Sequence, residues 1–155
     1  PAMVFDNQFD VKKAYDKGLL NRDVIIVVRF QGPKANGMPE LHALTPILSN
    51  LQDMGFKVAL ITDGRMSGAS GKVPSAIHVT PEAIDGGTIS KIQDGDKIEI
   101  DANIGTLNLN ENYSNRKTPK LEKDLNLGFG RNLFSLLRKN AISAESGAGL
   151  NLIND

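Results

Sequence analysis

Two strongly apolar stretches dominate the first half of the chain, "VIIVVRF" (Val24 to Phe30), broken only at Arg29, and "FKVALIT" (Phe56 to Thr62), whose apolar part runs from Val58 to Ile61. Both are rich in aliphatic residues, lack polar alternation and are too short for a core helix, which predicts strands covered on both faces. Between them "QGPKANGMPE", with two glycines and two prolines, predicts a loop. From Pro39 the pattern turns helical: Leu41 and Leu44 lie three apart, and Ile47, Leu48, Leu51 and Met54 continue the period. Thr45 as N-cap with Pro46 at the first helical position marks a restart, and Gly55 supplies the stop. Upstream, Val11, Ala14, Tyr15 and Leu19 predict a short helix over Val11 to Leu20, with Asp10 as N-cap and Gly18 near its end. Strand, loop, helix and strand in that order form a βαβ-like unit, and ligands usually sit at the carboxyl ends of such strands.

The second half changes character. "AIHVT", "KIEIDA" and "TLNLN" read as short strands, the last two with period-two alternation, separated by turn signals at Asp94-Gly95 and Asn103-Ile104-Gly105. This pattern predicts a small sheet or barrel in place of further βαβ winding. Residues 111 to 124 hold few apolar side chains and predict an exposed connection or mobile excursion. "GRNLFSLLRKN", with Leu133, Phe134, Leu136 and Leu137 at helical spacing, predicts a last helix that "ESGAG" ends.

At 155 residues the chain fits one domain, enough to bury roughly 68 to 70% of its unfolded surface. Eighteen basic and 18 acidic residues cancel, without a long block of one sign, so neither nucleic acid nor an anionic membrane is indicated as partner. There is no cysteine, which excludes disulfides, thiol catalysis and a self-contained iron-sulfur site. No apolar run approaches the roughly 18 to 20 residues of a membrane span, and "PAMVFDNQFD" does not resemble a signal peptide, so a soluble cytoplasmic protein is expected. The opening at Pro1, followed by a polar amphipathic lead-in, suggests a piece of a longer chain.

The stretch richest in candidate chemistry is "TDGRMSGASG", residues 62 to 71, which follows the second apolar run. Gly64 lies three before Ser67 and Gly68 directly after it, so the nucleophile-elbow spacing Gly-x-Ser-x-Gly is not met. Gly64, Gly68 and Gly71 with Ser67 and Ser70 could instead cradle an anion, with Arg65 or Lys72 adding charge, although no Walker pattern follows. Tight turns with serines on local backbone groups remain the simplest local account. Glu40, after Pro39 near a predicted helix start, fits a helix-end carboxylate, and it also fits one ligand of a hard cation such as magnesium. His42 and His78 have no partner at ligand spacing and read as structural. Lys34, beside Asn36 and Gly37, reads equally as an anion contact or a solvated lysine.

Taken together, "VVRFQGPKANGMPELHALTP" and "LQDMGFKVALITDGRMSGASGKVPSAIHVTPEA" resemble the carboxyl-terminal domain of the dihydroxy-acid dehydratase / 6-phosphogluconate dehydratase family. "RFQGPKANGMPELH" and "GFGRNLFSLLRKNAISAESGA" are similar to the 6-phosphogluconate dehydratase branch. The branched-chain dehydratases more often carry Glu-Gly-Pro-Lys-Gly where this chain has Gln31 and Ala35. The resemblance covers nearly all of residues 20 to 148, with residues 111 to 124 matching least.

The resemblance implies an α/β fold: a swivelling β/β/α domain with a β-barrel-like sheet and flanking helices, similar to one in aconitase. It implies that Ser67, as an alkoxide, removes the proton next to the substrate carboxylate, and that Glu40 is a magnesium ligand. Lys34, Arg65 and Lys72 are candidates, by type alone, for the substrate phosphate. The iron-sulfur cluster ligands and the remaining magnesium ligands would belong to an amino-terminal domain, which explains a chain without cysteine. The implied reaction converts 6-phosphogluconate to 2-keto-3-deoxy-6-phosphogluconate and water, in the Entner-Doudoroff route of gluconate metabolism. The parent enzyme would be a homodimer, and this chain alone inactive. The alternatives are a dehydratase of another sugar acid or of branched-chain dihydroxy acids, or a free-standing anion-binding or assembly module.

Overall fold

In the computed structural model, which describes residues 1–67, 71–121 and 128–151, the two apolar runs become the centre of a parallel sheet. Its four strands stand in sequence order: β1 (Ala2–Phe5), β2 (Val24–Val28), β3 (Val58–Thr62) and β4 (Ser75–Ala76). Registers such as Ile26 opposite Met3 on one side and Leu60 on the other fix which side chains share a face. Every residue of β3 is buried, as its apolar run from Val58 to Ile61 requires.

Helices α1 (Gln8–Asp16) and α3 (Leu44–Asp53) join one core cluster with Val24, Ile26, Val28, Val58 and Leu60. Along α3, Leu44, Ile47, Leu48 and Leu51 recur at helical spacing and are buried. Leu48 is fully enclosed, and truncating such a side chain to alanine typically costs about 2–5 kcal/mol. A second cluster, which contains Val27 and Ile61, includes Ala83 and Ile89 of two 3₁₀ turns, Ala83–Asp85 and Thr88–Lys91, and Ile92 directly after the second. Partly buried Ile98, Ile100 and Leu109 pack against this cluster from an antiparallel hairpin of β5 (Ile98–Asp101) and β6 (Thr106–Leu109).

Several expectations need correction. The first helix begins earlier than Val11, because Asn7 and not Asp10 is the N-cap: its side chain accepts the Asp10 N–H at 2.9 Å. The next helix does not begin at Pro39 and Thr45 does not cap it; α3 starts at Leu44, behind Ala43, whose N–H is taken by Gln8 Oε1 at 3.2 Å. The loop "QGPKANGMPE" contains a four-residue helix, α2 (Pro33–Asn36), and the lead-in at the start of the chain holds β1. "AIHVT" contributes only Ala76 to β4, although the His78 and Val79 N–H groups continue along β3 to the carbonyls of Gly64 (3.0 Å) and Thr62 (3.1 Å).

The last predicted helix is two short ones, α4 (Phe129–Leu133) and α5 (Ser135–Lys139), broken at Phe134. Residues 111–121 are the irregular and mostly exposed connection expected, held to the core where the Arg116 guanidinium is forked onto the buried Asp96 carboxylate; residues 122–124 of that stretch lie outside the described residues. The fold is thus mixed α/β, with a four-stranded parallel sheet, flanking helices and a separate hairpin. Among the described residues there is no closed barrel, and no helix is long and apolar enough to cross a membrane.

Candidate functional site

The exits of β2 and β3 converge on Asp63, the residue that follows β3 and is fully buried. Its Oδ1 accepts the Gln31 N–H at 2.9 Å, and its Oδ2 accepts those of Phe30 at 3.1 Å and Ala83 at 2.8 Å. Burial pushes the Asp63 carboxyl above its usual range, and the backbone donors oppose that rise. One carboxylate therefore ties three loops together. Phe30 is held at φ +61°, in the left-handed region that a bulky aromatic adopts only where its surroundings impose it. Gly64 lets the two strand exits approach, since a Cβ there would lie 2.6 Å from Gln31 Cβ.

A second buried carboxylate sits beside the first. Glu82 Oε1 and Oε2 accept the N–H groups of Lys34 and Ala35, each at 3.1 Å, and so satisfy donors at the amino end of α2. Gly32 leaves the space this needs: a Cβ would lie 2.7 Å from Glu82 Cδ. Burial raises the Glu82 carboxyl, against those same two N–H bonds. Asn36 Nδ2 donates to Gln31 Oε1 at 3.0 Å, and Gln31 Nε2 to the Asp6 carbonyl at 2.8 Å, extending the network across α2.

On this base, Glu40 and Arg65 form an isolated parallel bridge, with the Leu41 N–H donating to the Arg65 carbonyl at 2.9 Å. Arg65 Nε donates to the Met38 carbonyl at 3.0 Å. Glu40 is exposed, and its carboxylate makes no hydrogen bond or ion pair with the described residues. Ser67 follows two residues after Arg65 and is exposed, while Met66 between them packs on the core. Glu40, Arg65 and Ser67 thus belong to neighbouring chain segments at the carboxyl end of the sheet.

Lys34 and Lys72 are engaged elsewhere. The Lys34 amine pairs with Asp85 at 2.6 Å, and that hydrogen bond raises its pKa. The Lys72 amine reaches α3, bonding Asp53 Oδ1 at 2.6 Å and Ser49 Oγ at 2.9 Å. His42 and His78 are both exposed. Gly68 and Ser70 of the glycine-rich stretch lie outside the described residues.

Glu40 suits a hard cation, being an exposed carboxylate without an ion pair among the described residues, but it is a single ligand. Among the described residues no group of three or more His, Cys, Asp or Glu side chains could hold a metal. Without any cysteine, the chain does not fit an iron-sulfur cluster. Sequence reasoning missed Asp63 and Glu82. The signal available for Asp63 was a carboxylate directly after a fully buried strand, apolar up to Thr62, where only buried donors could balance it.

Comparison with known proteins matches residues 1–148 to the dihydroxy-acid/6-phosphogluconate dehydratase C-terminal family. The phosphogluconate dehydratase of Zymomonas mobilis subsp. mobilis is 56% identical over 152 residues, covering 96% of this chain and 25% of that protein. That of Escherichia coli K12 is 56% identical over 153 residues, with the same two coverages. A dihydroxy-acid dehydratase of Clostridium beijerinckii is 44% identical over 109 residues, 70% of this chain and 19% of that protein. The chain spans about a quarter of the length of the phosphogluconate dehydratases it matches.

Proposed function

The chain belongs to the dihydroxy-acid/6-phosphogluconate dehydratase family, in its C-terminal domain, and on that premise we propose that it is the carboxyl-terminal part of a 6-phosphogluconate dehydratase. The observation that carries the choice of substrate is the contrast in the relatives. Phosphogluconate dehydratases match 96% of the chain at 56% identity, against 70% at 44% for the dihydroxy-acid dehydratase.

In this reading Ser67 Oγ, as an alkoxide, takes the proton from the carbon that bears the 2-hydroxyl, next to the substrate carboxylate. The C–H electron pair forms the double bond to C3, the C3 hydroxyl departs as water with a proton, and the resulting enol tautomerises to the 2-keto-3-deoxy acid. Arg65 favours the charged form of the serine and of the developing enediolate by its positive charge. Glu40 would hold magnesium together with ligands from the amino-terminal part, and such an ion would supply further positive charge to the site. An iron-sulfur cluster, if the parent enzyme carries one, is held entirely by the amino-terminal part.

Support for these roles is positional. Ser67 and Glu40 are exposed on loops braced by two buried carboxylates, and precise placement is what catalysis by positioned groups requires. Lys34 and Lys72 remain candidates for the phosphate only by exchanging Asp85 or Asp53 for substrate. The same reading includes a swivelling domain with barrel-like packing of hairpin on sheet, a homodimeric cytoplasmic enzyme, and a place in the Entner-Doudoroff route.

The test is anaerobic assay of the full-length parent for keto-acid formation. Turnover of 6-phosphogluconate well above that of branched-chain dihydroxy acids and unphosphorylated sugar acids is expected. Preference for either of the others would overturn the substrate assignment.

A further inference from the structure

Helix α5 packs on α2, and the residue it buries is Arg138. Arg138 Nη2 donates to the Arg131 carbonyl at 2.8 Å, which ties α5 to α4. Burial and then the Arg131 charge hold the Arg138 guanidinium below its ordinary range. Two cations therefore share one partly desolvated place, where like charges repel more than they would in water.

Arg131 and Arg138 line a cleft of about 980 Å³ together with Asn36, Gly37 and Met38, a size that admits a small organic ligand. The two aspartates of that cleft already meet cations, Asp6 at 2.6 Å from Arg29 Nε and Asp10 at 2.8 Å from the Lys13 amine. Arg131 is half-buried, and the described residues give its guanidinium no hydrogen bond or ion pair. Lys34 and Lys72 differ in this respect, since each would have to leave an aspartate to meet an anion. The cleft reaches the candidate site through Met38, whose carbonyl holds Arg65 Nε at 3.0 Å, two residues before Glu40. Neither Ser67 nor Glu40 lines it, so the two arginines stand apart from the segments that would carry the reaction.

We propose that Arg131, with Arg138 beside it, holds the phosphate of the substrate, the guanidinium fork donating to two phosphate oxygens. This deepens the 6-phosphogluconate reading and rests on it for the presence of a phosphate. The placement suits that molecule, whose reacting carbons and phosphate lie toward opposite ends of a six-carbon chain. Arginine matches a phosphate in planar, bidentate fashion, and a phosphate dianion offsets the repulsion between the two guanidinium groups. The substrate carboxylate is the competing occupant.

The test compares full-length wild type with Arg131→Ala and Arg131→Lys, the second keeping the charge but not the fork. Titration calorimetry measures Kd for glucitol 6-phosphate, which has no carboxylate, and for gluconate, which has no phosphate. Arg131→Ala is expected to weaken glucitol 6-phosphate by roughly ten- to hundredfold, the worth of a charged hydrogen bond, and to leave gluconate unchanged. Arg131→Lys should recover part of that loss. In turnover of 6-phosphogluconate, KM should rise by a similar factor with kcat little changed, because the contact is made equally in ground and transition states. No binding of glucitol 6-phosphate to wild type, an unchanged Kd in Arg131→Ala, or equal losses for both compounds overturns the proposal. Turnover of 6-phosphogluconate with the same KM in wild type and Arg131→Ala sinks this phosphate site alone. Arg131-dependent binding of glucitol 6-phosphate by a wild type that does not turn over 6-phosphogluconate sinks the substrate alone.

Discussion

Asp63 Oδ2 accepts the Ala83 N–H at 2.8 Å across twenty residues of sequence, and so fastens the exit of β3 to the 3₁₀ turn Ala83–Asp85, whose Ala83 belongs to the second core cluster. The same carboxylate holds Phe30 and Gln31 at the exit of β2, so its removal orphans three buried donors together. An unsatisfied buried donor typically costs about 1–3 kcal/mol.

Asp63→Ala is therefore expected to destabilise the full-length enzyme by roughly 3 kcal/mol or more. Asp63→Asn should also be costly, since it places an amide NH₂ where a second acceptor oxygen is needed. Urea unfolding followed at this domain checks both; a midpoint within error of wild type for Asp63→Ala would show that the three loops are held by something else.

What could be read from the sequence was what local pattern controls. β2, β3 and the apolar stripe of α3 follow from runs and spacings within ten residues. β1 was missed because "AMVF" is four residues long, and its strand character comes from pairing with Ile25 to Val28. α2 was missed because Pro33 to Asn36 is a single turn whose first donors are satisfied by Glu82, 47 and 48 residues away in sequence. The brace of the candidate site is illegible for the same reason: its partners are backbone N–H groups, which leave no side-chain signature. Ser67 and Glu40 were reached through long motifs, not through local chemistry.

Gly32→Ala should displace the Glu82 carboxylate, because the new Cβ would press on Glu82 Oε2 and Cδ. The expected loss is about 1–3 kcal/mol, as overpacking and two weakened N–H bonds combine. Gly130→Ala is the control: nothing lies within 4 Å of a Cβ there, it is helical, and the change should be neutral or slightly stabilising. Equal unfolding midpoints for the two variants would contradict the account.

Strong acid should loosen the anchoring of the segment around residue 116. Burial alone would raise the Asp96 carboxyl, but the Arg116 side-chain bond, the Gln93 N–H and the Arg116 charge outweigh it and hold the pKa below its usual 3.8. A carboxylate depressed in the folded state adds stability above its unfolded pKa and loses it as pH falls through the folded one. The stability gap between wild type and Asp96→Asn should thus be full at pH 7 and close below about pH 3.8. A gap that is constant with pH would mean that the ion pair contributes nothing through its charge.

Glu40→Gln removes an exposed carboxylate without partners among the described residues, so the unfolding midpoint should not move. If Glu40 is a magnesium ligand, the magnesium concentration for half-maximal activity should rise by at least the roughly tenfold that even an outer-sphere partner is worth. An unchanged magnesium requirement would reduce Glu40 to a surface residue.

Ser67→Ala separates chemistry from architecture, because Ser67 is exposed and its hydroxyl has no hydrogen bond to the described residues. A surface substitution of this kind is worth within about 0.5 kcal/mol of stability, so the variant should fold, bind magnesium and retain its midpoint. Positioned proton transfer contributes roughly 10² to 10⁴ in rate. With cluster and magnesium content matched to wild type, kcat for keto-acid formation should fall by about a hundredfold or more while KM changes little, since the hydroxyl acts on the transition state and not on ground-state binding. Near-normal kcat would make Ser67 a turn residue and move the search for the base to the amino-terminal part of the enzyme.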